Sequence, residues 1–120
     1  MTHSDIVALL LIHRIHYSTE SVMHSDVTDL LVTAGIEFIA EHRFSARDRV
    51  DFWIPSEGIA IECKIDGSAS AVLSQCLRYA EHDVVRSVIL VTCRARHKAE
   101  MADLPTLNDK PFSLVWVASL

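Results

Sequence analysis

The segment 49–64, RVDFWIPSEGIAIECK, constrains the fold of this chain more than any other stretch of its sequence. Apolar and polar side chains alternate on both sides of the turn 55–58, as expected for the two strands of a hairpin. Pro55 fixes φ and Gly58 accepts positive φ, so both residues favour a turn between them. The segment therefore predicts two antiparallel strands with Ser56 and Glu57 at the tip.

The register of this hairpin places charged side chains on one face. With that tip, Asp51 lies opposite Glu62, and opposed residues share a face with Cβ atoms roughly 5 Å apart. Lys64 lies two residues beyond Glu62 and shares the same face. The other face then carries apolar side chains: Val50, Phe52, Ile54, Ile59, Ile61 and Cys63. We therefore predict two carboxylates and an ammonium group on one side and a hydrophobic core on the other.

Two opposed carboxylates repel each other, and a bound cation removes that repulsion. Mg²⁺ is a hard ion that takes one or two carboxylates together with water and phosphate oxygens. A neighbouring Lys64 would then orient or deprotonate an attacking water, or hold a scissile phosphate. The alternative interpretation is an exposed sheet face with an ordinary Lys–Glu pair.

Asp51, followed after a turn by Glu62-Cys63-Lys64, resembles the PD-(D/E)xK nuclease superfamily, which has the restriction-endonuclease-like fold. The resemblance implies that Asp51 and Glu62 are metal ligands and that the Cys63 carbonyl is a further ligand. It also implies Mg²⁺ or Mn²⁺ as the cofactor and Lys64 as the catalytic lysine. Val50 stands where the name of the superfamily puts proline.

The helix predicted after Lys64 carries a second motif. Gln75 and Tyr79 match the Q-x-x-x-Y motif, which resembles the RecB-like branch of the superfamily and its phage-exonuclease-like members. The resemblance implies that both residues lie near the active site or the DNA backbone. Arg78 is a candidate phosphate contact because a guanidinium group donates bidentately, and Arg47 and Arg49 add basic residues beside the hairpin. The alternative is a polar helix face whose tyrosine packs at the rim.

The helix before the first strand is expected to carry one more active-site group. The resemblance to the RecB-like branch implies His24, about three turns before Gly35, as a metal ligand. Imidazole is a softer ligand than Mg²⁺ prefers. Glu20, one turn earlier on the same face, is the competing candidate, and a surface histidine without a ligand role is the alternative.

The whole chain predicts an α/β fold with element order α-α-β-β-β-α-β-α-β and a mixed sheet flanked by helices. That order contains the αβββαβ core of the restriction-endonuclease-like fold, with an extra N-terminal helix. The expected elements are a first helix from about residue 4, a helix at 20–33, a strand at 36–44, the hairpin, a helix from about 68 to 83, a strand at 88–92, a short helix at 97–104, a loop at 107–111 and a strand at 112–118.

Length and composition predict one domain covering residues 1–120, with a formal charge of −5. That charge argues against a non-specific nucleic-acid coat but leaves a nuclease open, since acidic residues include the expected ligands. A basic cluster at 94–98 is interpreted as solvated loop charge. No apolar run approaches the roughly 20 residues of a membrane span, so we expect no membrane association and no signal peptide. The three cysteines are an odd number without metal-site spacing, which is typical of free thiols in the cytoplasm.

The sequence thus predicts a metal-dependent nuclease acting on DNA, with RNA not excluded. A domain of this size is expected to work as a homodimer or within a larger complex. The apolar first helix is one candidate interface, through Ile6, Leu9, Leu10 and Ile12. Two other classes remain open: an inactive nuclease-fold domain that binds nucleic acid or protein, and an unrelated α/β binding domain.

Overall fold

Within residues 1–117, which this computed structural model describes, the chain forms four helices and six strands. Their bounds are α1 (His3–Ile12), α2 (Glu20–Thr33), β1 (Ile39–Arg43), β2 (Arg49–Ile54), β3 (Ile59–Lys64), α3 (Ala69–Glu81), β4 (Ser87–Thr92), α4 (Ala95–Met101), β5 (Thr106–Leu107) and β6 (Lys110–Trp116). The predicted order is confirmed through α4. The predicted loop at 107–111 is wrong, because β5 and β6 form a hairpin there. The predicted end of the last strand at Ala118 lies outside the described residues.

The helix ends follow local side-chain chemistry. Thr2 begins α1 with a capping box: its hydroxyl accepts the Asp5 N–H, and the Asp5 carboxylate accepts the Thr2 N–H. Gly35 ends α2 with φ of 72°, as predicted. That conformation lets the Ile36 N–H reach the Leu31 carbonyl at 3.0 Å, which satisfies a carbonyl of the last helical turn.

The strands form one mixed sheet in the order β1-β2-β3-β4-β6-β5. The pairs β1–β2, β2–β3 and β5–β6 are antiparallel, whereas β3–β4 and β4–β6 are parallel. All six residues of β4 are buried, which agrees with its continuous apolar sequence and its central place. The predicted mixed α/β class is confirmed.

The β2–β3 hairpin has the predicted register from the turn as far as Phe52 and Ile61, whereas the predicted Asp51–Glu62 pair is not part of the ladder. Phe52 pairs with Ile61, and Ile54 pairs with Ile59. Gly58 closes the turn with φ of 66°, and a Cβ atom there would lie 2.8 Å from Cγ of Arg86. The Gly58 carbonyl also accepts the Arg86 N–H at 2.7 Å. Glycine at this position therefore lets the hairpin turn and the start of β4 approach each other closely.

Helices cover both faces of the sheet. On the α1–α2 face, one apolar cluster joins helices and strands through Ile6, Leu10, Met23, Val27, Leu31, Phe52, Ile54, Ile59, Ile61, Cys63, Ile89 and Val91. On the α3–α4 face, a second cluster includes Val50, Trp53, Ala60, Val72, Cys76, Tyr79, Ala80, Val88, Leu90 and Met101. The face that carries Glu62 is therefore packed against α3. The alternative interpretation was an exposed sheet face with an ordinary Lys–Glu pair. It is wrong for Glu62, which is only 2% exposed.

The alternation predicted for β2 breaks at Asp51. Phe52 packs on the α1–α2 face, but Val50 packs with Trp53 on the α3–α4 face, so the prediction that Val50 and Phe52 share a face is wrong. β1 breaks at the same level, since Glu41 has φ of 52° and lies between the pairs that β1 makes with β2. Asp51 therefore lies where β2 changes face, and its side chain is not confined to one side of the sheet.

Two findings on the described residues bear on cellular context. None of the helices within residues 1–117 has the length and apolar character needed to cross a bilayer. Cys63, Cys76 and Cys93 are free, as predicted.

Candidate active site

The predicted site residues meet at one end of the sheet. Asp51 lies near the start of β2, Glu62 and Lys64 lie at the end of β3, and Thr92 ends the parallel strand β4 beside Lys64. In open α/β sheets, ligands bind outside the carboxyl ends of parallel strands. The hairpin turn lies at the opposite end of the same strands and leaves this end open.

Asp51 and Glu62 join β2 and β3 through side-chain hydrogen bonds. The Cys63 N–H donates to Asp51 Oδ2 at 2.8 Å, and the Asp51 N–H donates to Glu62 Oε1 at 3.3 Å. The two residues are therefore neighbours at this end of the sheet, but Asp51 reaches toward α2 and Glu62 toward α3, so the prediction that both carboxylates lie on one face is wrong.

Glu62 is a buried carboxyl group among charged neighbours. Its Oε2 lies 3.1 Å from Lys64 Nζ. Burial, together with the charge of Asp51, raises the pKa of Glu62 to about 7, and Lys64 only partly offsets that rise. A second positive charge at this opening would therefore stabilise the ionised form.

Lys64 is half-buried and remains a cation. Burial by itself lowers the pKa of its ammonium group, but the charge of Glu62 and, more weakly, that of Asp51 outweigh burial, so the pKa is raised. A fixed positive charge at this position can stabilise negative charge on a ligand bound at the open end of the sheet.

Tyr79 supports Glu62 from α3. Its buried hydroxyl donates to the Arg49 carbonyl at 2.6 Å and lies 3.1 Å from Glu62 Oε1. Burial and the charge of Glu62 raise its pKa, so the hydroxyl stays protonated. The prediction that Tyr79 lies at the site thus agrees with its contacts. Gln75 is one turn earlier and partly exposed, and it takes part in none of the hydrogen bonds that hold this cluster.

His24 is the α2 residue that contacts Asp51. Its Nε2 lies 3.3 Å from Asp51 Oδ2, and its ring centre lies 5.5 Å from that of Phe52. Nε2 is buried and has no hydrogen-bond partner within the described residues. The contact with Asp51 is nevertheless the main cause that raises the pKa of His24. Glu20 is exposed, and its Oε1 lies 3.7 Å from His24 Nε2. Glu20 thus contacts His24, whereas His24 is the residue that contacts Asp51.

The arginines predicted to bind nucleic acid differ in their surroundings. Arg78 Nε donates to Asp48 Oδ1 at 3.0 Å, while His82 Nε2 lies 2.8 Å from Asp48 Oδ2. Arg78 therefore joins α3 to the turn between β1 and β2 through its Nε. Its two terminal nitrogens can bind another partner. Arg47 and Arg49 are exposed beside that turn. Asp48 is a residue that the sequence analysis missed, since nothing in its local pattern distinguishes it from a solvated turn aspartate.

The basic cluster at 94–98 holds the loop that follows Lys64. His97 is wholly buried, with Nδ1 2.6 Å from Thr92 Oγ1 and Nε2 2.8 Å from the Gly67 carbonyl. A carbonyl only accepts, so Nε2 carries the proton. Arg96 donates to the Gly67 carbonyl at 2.9 Å, and Arg94 donates to the Ile65 carbonyl. Arg94, Arg96 and Lys98 are exposed, which agrees with the interpretation as solvated charge, although Arg94 and Arg96 also bind carbonyls of the loop.

Asp51 and His24 place donors suited to a divalent cation side by side, with Asp51 Oδ2 3.3 Å from His24 Nε2. Within residues 1–117, the ligand atoms that lie within 4.8 Å of one another belong to His24, Asp51 and Cys63, so the predicted ligand Glu62 stands outside this group. An ion bound beside Asp51 would satisfy the His24 nitrogen. The Cys63 carbonyl remains a ligand by resemblance only.

Comparisons of the chain with models of protein families, with curated proteins and with solved structures find no match.

Proposed function

We propose that this protein is a metal-dependent nuclease that hydrolyses phosphodiester bonds in DNA, with Mg²⁺ or Mn²⁺ as cofactor. The observation that supports the proposal most is the junction of β2 and β3. There, Asp51 and the buried Glu62 are joined by a hydrogen bond, with Lys64 beside Glu62 and with the unpaired nitrogen of His24 beside Asp51. Metal-binding oxygens beside a fixed cation are one combination that can stabilise the charge developing on a phosphodiester during hydrolysis.

Asp51 and Glu62 would hold the ion, with His24 completing its coordination. When bound, the ion polarises the scissile phosphate and lowers the pKa of a coordinated water. The Cys63 N–H fixes one oxygen of Asp51, so the carboxylate is oriented before an ion binds. That preorganisation is what a metal site requires of the residues around its ligands.

Lys64 would stabilise the negative charge that develops on the phosphoryl oxygens. Its raised pKa favours this electrostatic role over proton abstraction from water, because a general base must lose its proton. Tyr79 would act through Glu62, by holding that carboxyl group and the start of β2 in register.

DNA is expected to approach from the β1–β2 turn. Arg47 and Arg49 are exposed there, and Arg78 has terminal nitrogens beyond the one that binds Asp48. Contacts of these three side chains with phosphates would position the backbone over the site without reading sequence. The formal charge of −5 implies that this attraction is local rather than spread over the surface.

The segment from α2 to β4 would correspond to the αβββαβ core of the restriction-endonuclease-like fold, with α1 as the added helix. A homodimer, or a larger complex, remains our proposal for the working form, in the cytoplasm. Ile6 and Leu10 are buried within the chain, so the interface predicted on α1 is wrong for those two residues. Leu11 and Ile12 are exposed at the end of the helix and are the better candidates.

Cleavage of a mixed panel of substrates tests this function. The panel contains plasmid, linear, single-stranded and branched DNA and an RNA, each with Mg²⁺, Mn²⁺ or EDTA. We expect cutting with a divalent ion that EDTA abolishes and that Asp51→Asn reduces at least about 100-fold. Asparagine still accepts the Cys63 N–H, so this variant removes charge with little change of shape.

Asp103→Asn, an exposed aspartate between α4 and β5, is the matched control and should cut as the wild type does. Equal cutting by Asp51→Asn, or cutting in EDTA, would contradict the proposed mechanism. No cutting of any substrate would favour a domain that binds nucleic acid or protein without hydrolysis.

A further inference from the structure

The thiol of Cys63 has no role in the proposed nuclease chemistry, yet it lies beside two of the metal-binding residues. Cys63 follows Glu62 on β3, so its side chain points to the opposite, α1–α2 face. Asp51 reaches the same side because β2 changes face at that residue. Ligand atoms of His24, Asp51 and Cys63 all lie within 4.8 Å of one another.

The spacing of these atoms is that of ligands of one small ion. Two nitrogen or oxygen ligands about 2.0 Å from a tetrahedral ion lie about 3.3 Å apart, and a sulfur at about 2.3 Å lies about 3.5 Å from them. His24 Nε2 and Asp51 Oδ2 are 3.3 Å apart without forming a hydrogen bond. The sulfur lies no more than 4.8 Å away, so the group needs to contract by little more than about 1 Å.

The chemistry of the three donors selects against Mg²⁺. Mg²⁺ prefers an all-oxygen octahedron, whereas thiolate and imidazole suit borderline ions such as Zn²⁺ and Co²⁺. Three protein ligands leave a fourth tetrahedral position for water. An ion can enter from the solvent side, where the side chains of His24 and Asp51 are 26% and 13% exposed.

We propose that His24, Asp51 and Cys63 form a binding site for Zn²⁺ or a similar borderline cation on the α1–α2 face. Binding exchanges the thiol proton of Cys63, released to solvent, for a metal–sulfur bond, with no change of oxidation state. Zn²⁺ bound in this site occupies the side chains of Asp51 and His24, which are then not available to bind Mg²⁺. If the nuclease function proposed above holds, zinc therefore inhibits cleavage in competition with Mg²⁺.

Cobalt is the probe that reports on the sulfur directly. Titration of the purified chain with Co²⁺ is followed by absorption spectroscopy, because a thiolate bound to Co²⁺ gives a charge-transfer band in the near ultraviolet. We expect the band in the wild type and its loss on addition of Zn²⁺. The band should persist in Cys93→Ser, the control at a partly exposed cysteine, and should be lost in Cys63→Ser.

His24→Gln gives a second variant in case Cys63→Ser does not fold, since His24 is partly exposed, and its band should be lost or much weakened. No band in the wild type, or an unchanged band in either site variant, would overturn the proposal. The spectrum is independent of cleavage. If the protein cuts DNA with Mg²⁺ but gives no cobalt band, the thiol site is contradicted and the nuclease function stands. If it gives the band but does not cut, the nuclease function is contradicted and the thiol site stands.

Discussion

At the residue scale, the site contains one of the few charged side chains that are buried within residues 1–117. The carboxyl group of Glu62 is buried, its pKa is raised to about 7, and only Lys64 compensates it with positive charge within hydrogen-bond distance. Isolated buried charges are strongly destabilising unless they are paired or bind metal. This arrangement therefore favours a ligand role for Glu62 over a purely structural one.

The hydroxyl of Tyr79 is expected to stabilise both the fold and the site. Tyr79→Phe removes the donor to the Arg49 carbonyl and the contact with Glu62. We predict a loss of about 1–2 kcal/mol in the free energy of unfolding, since a buried acceptor loses its partner. Urea denaturation measures the loss. Tyr17→Phe, in the cluster on the other face of the sheet, is the control, and equal stability of Tyr79→Phe and wild type would contradict the prediction.

Asp48 gives the fold a pH dependence with a defined sign. Burial raises its pKa, but the hydrogen bonds from His82 and Arg78 outweigh burial, so the pKa in the folded state lies below the ordinary value of about 4. A depressed carboxyl pKa stabilises the fold above the unfolded pKa, and that stability is lost as the pH falls through the folded pKa.

We therefore predict that the wild type is more stable than Asp48→Asn at pH 7 and that the difference shrinks below about pH 4. Thermal unfolding of both proteins across this pH range measures the difference. A difference that stays constant with pH would show that the ionised carboxylate is not what stabilises the turn.

At the element scale, the hairpin was predictable and the change of face at Asp51 was not. Pro55 and Gly58 fix the turn, and the turn fixes the register through Phe52 and Ile61, so local chemistry was sufficient. The change of face depends on contacts outside β2, with Cys63 on β3 and with β1. Periodicity within one strand contains no information about either.

Among the residues on helices, some placements also follow from the local sequence and others depend on tertiary contacts. The bounds of α2 follow from its caps and its apolar pattern. A helix with these bounds places His24 beside Asp51. The loop contacts of His97 and Arg96 join segments about 30 residues apart and have no local signature. The motifs therefore predicted where Glu62, Lys64 and Tyr79 lie, but Gln75 takes part in none of the hydrogen bonds of the cluster, and residues positioned by tertiary contacts had no signal in the sequence.

The contacts of α4 with the loop after β3 lead to a prediction for His97. His97→Ala leaves the Gly67 carbonyl and the Thr92 hydroxyl without this partner, and we expect a loss of about 3 kcal/mol in stability. Amide hydrogen exchange in residues 65–68 should accelerate, because the loop after Lys64 loses its buried attachment.

Lys98→Ala is the control on the same helix, where Nζ lies 5.0 Å from the centre of the Trp116 ring. That contact contributes no more than about 1 kcal/mol, and its loss should leave exchange in the loop unchanged. Unchanged exchange in His97→Ala would contradict the positioning role of α4.

At the scale of the whole molecule, the central strands β3 and β4 are buried between two helical layers, whereas the edge strand β1 is largely exposed. Helices α1 and α2 cover one face, α3 and α4 cover the other, and the charged residues of β2 and β3 meet where the strands end. In the proposed function, DNA would approach the site from that end. Within residues 1–117 the molecule therefore combines two apolar clusters, one on each side of the sheet, with a group of charged residues at one end of its central strands.

The rate of single-turnover cleavage by Lys64→Met tests the central claim most directly. Methionine keeps the length of the side chain and removes the cation that lies 3.1 Å from Glu62. Lys98→Met on α4 is the matched control, and the melting temperature of each variant shows whether it is folded. We predict Mg²⁺-dependent cutting by the wild type and by Lys98→Met, and a loss of at least about 100-fold in Lys64→Met. A folded Lys64→Met that cuts DNA at the wild-type rate would contradict the assignment of this opening as the active site.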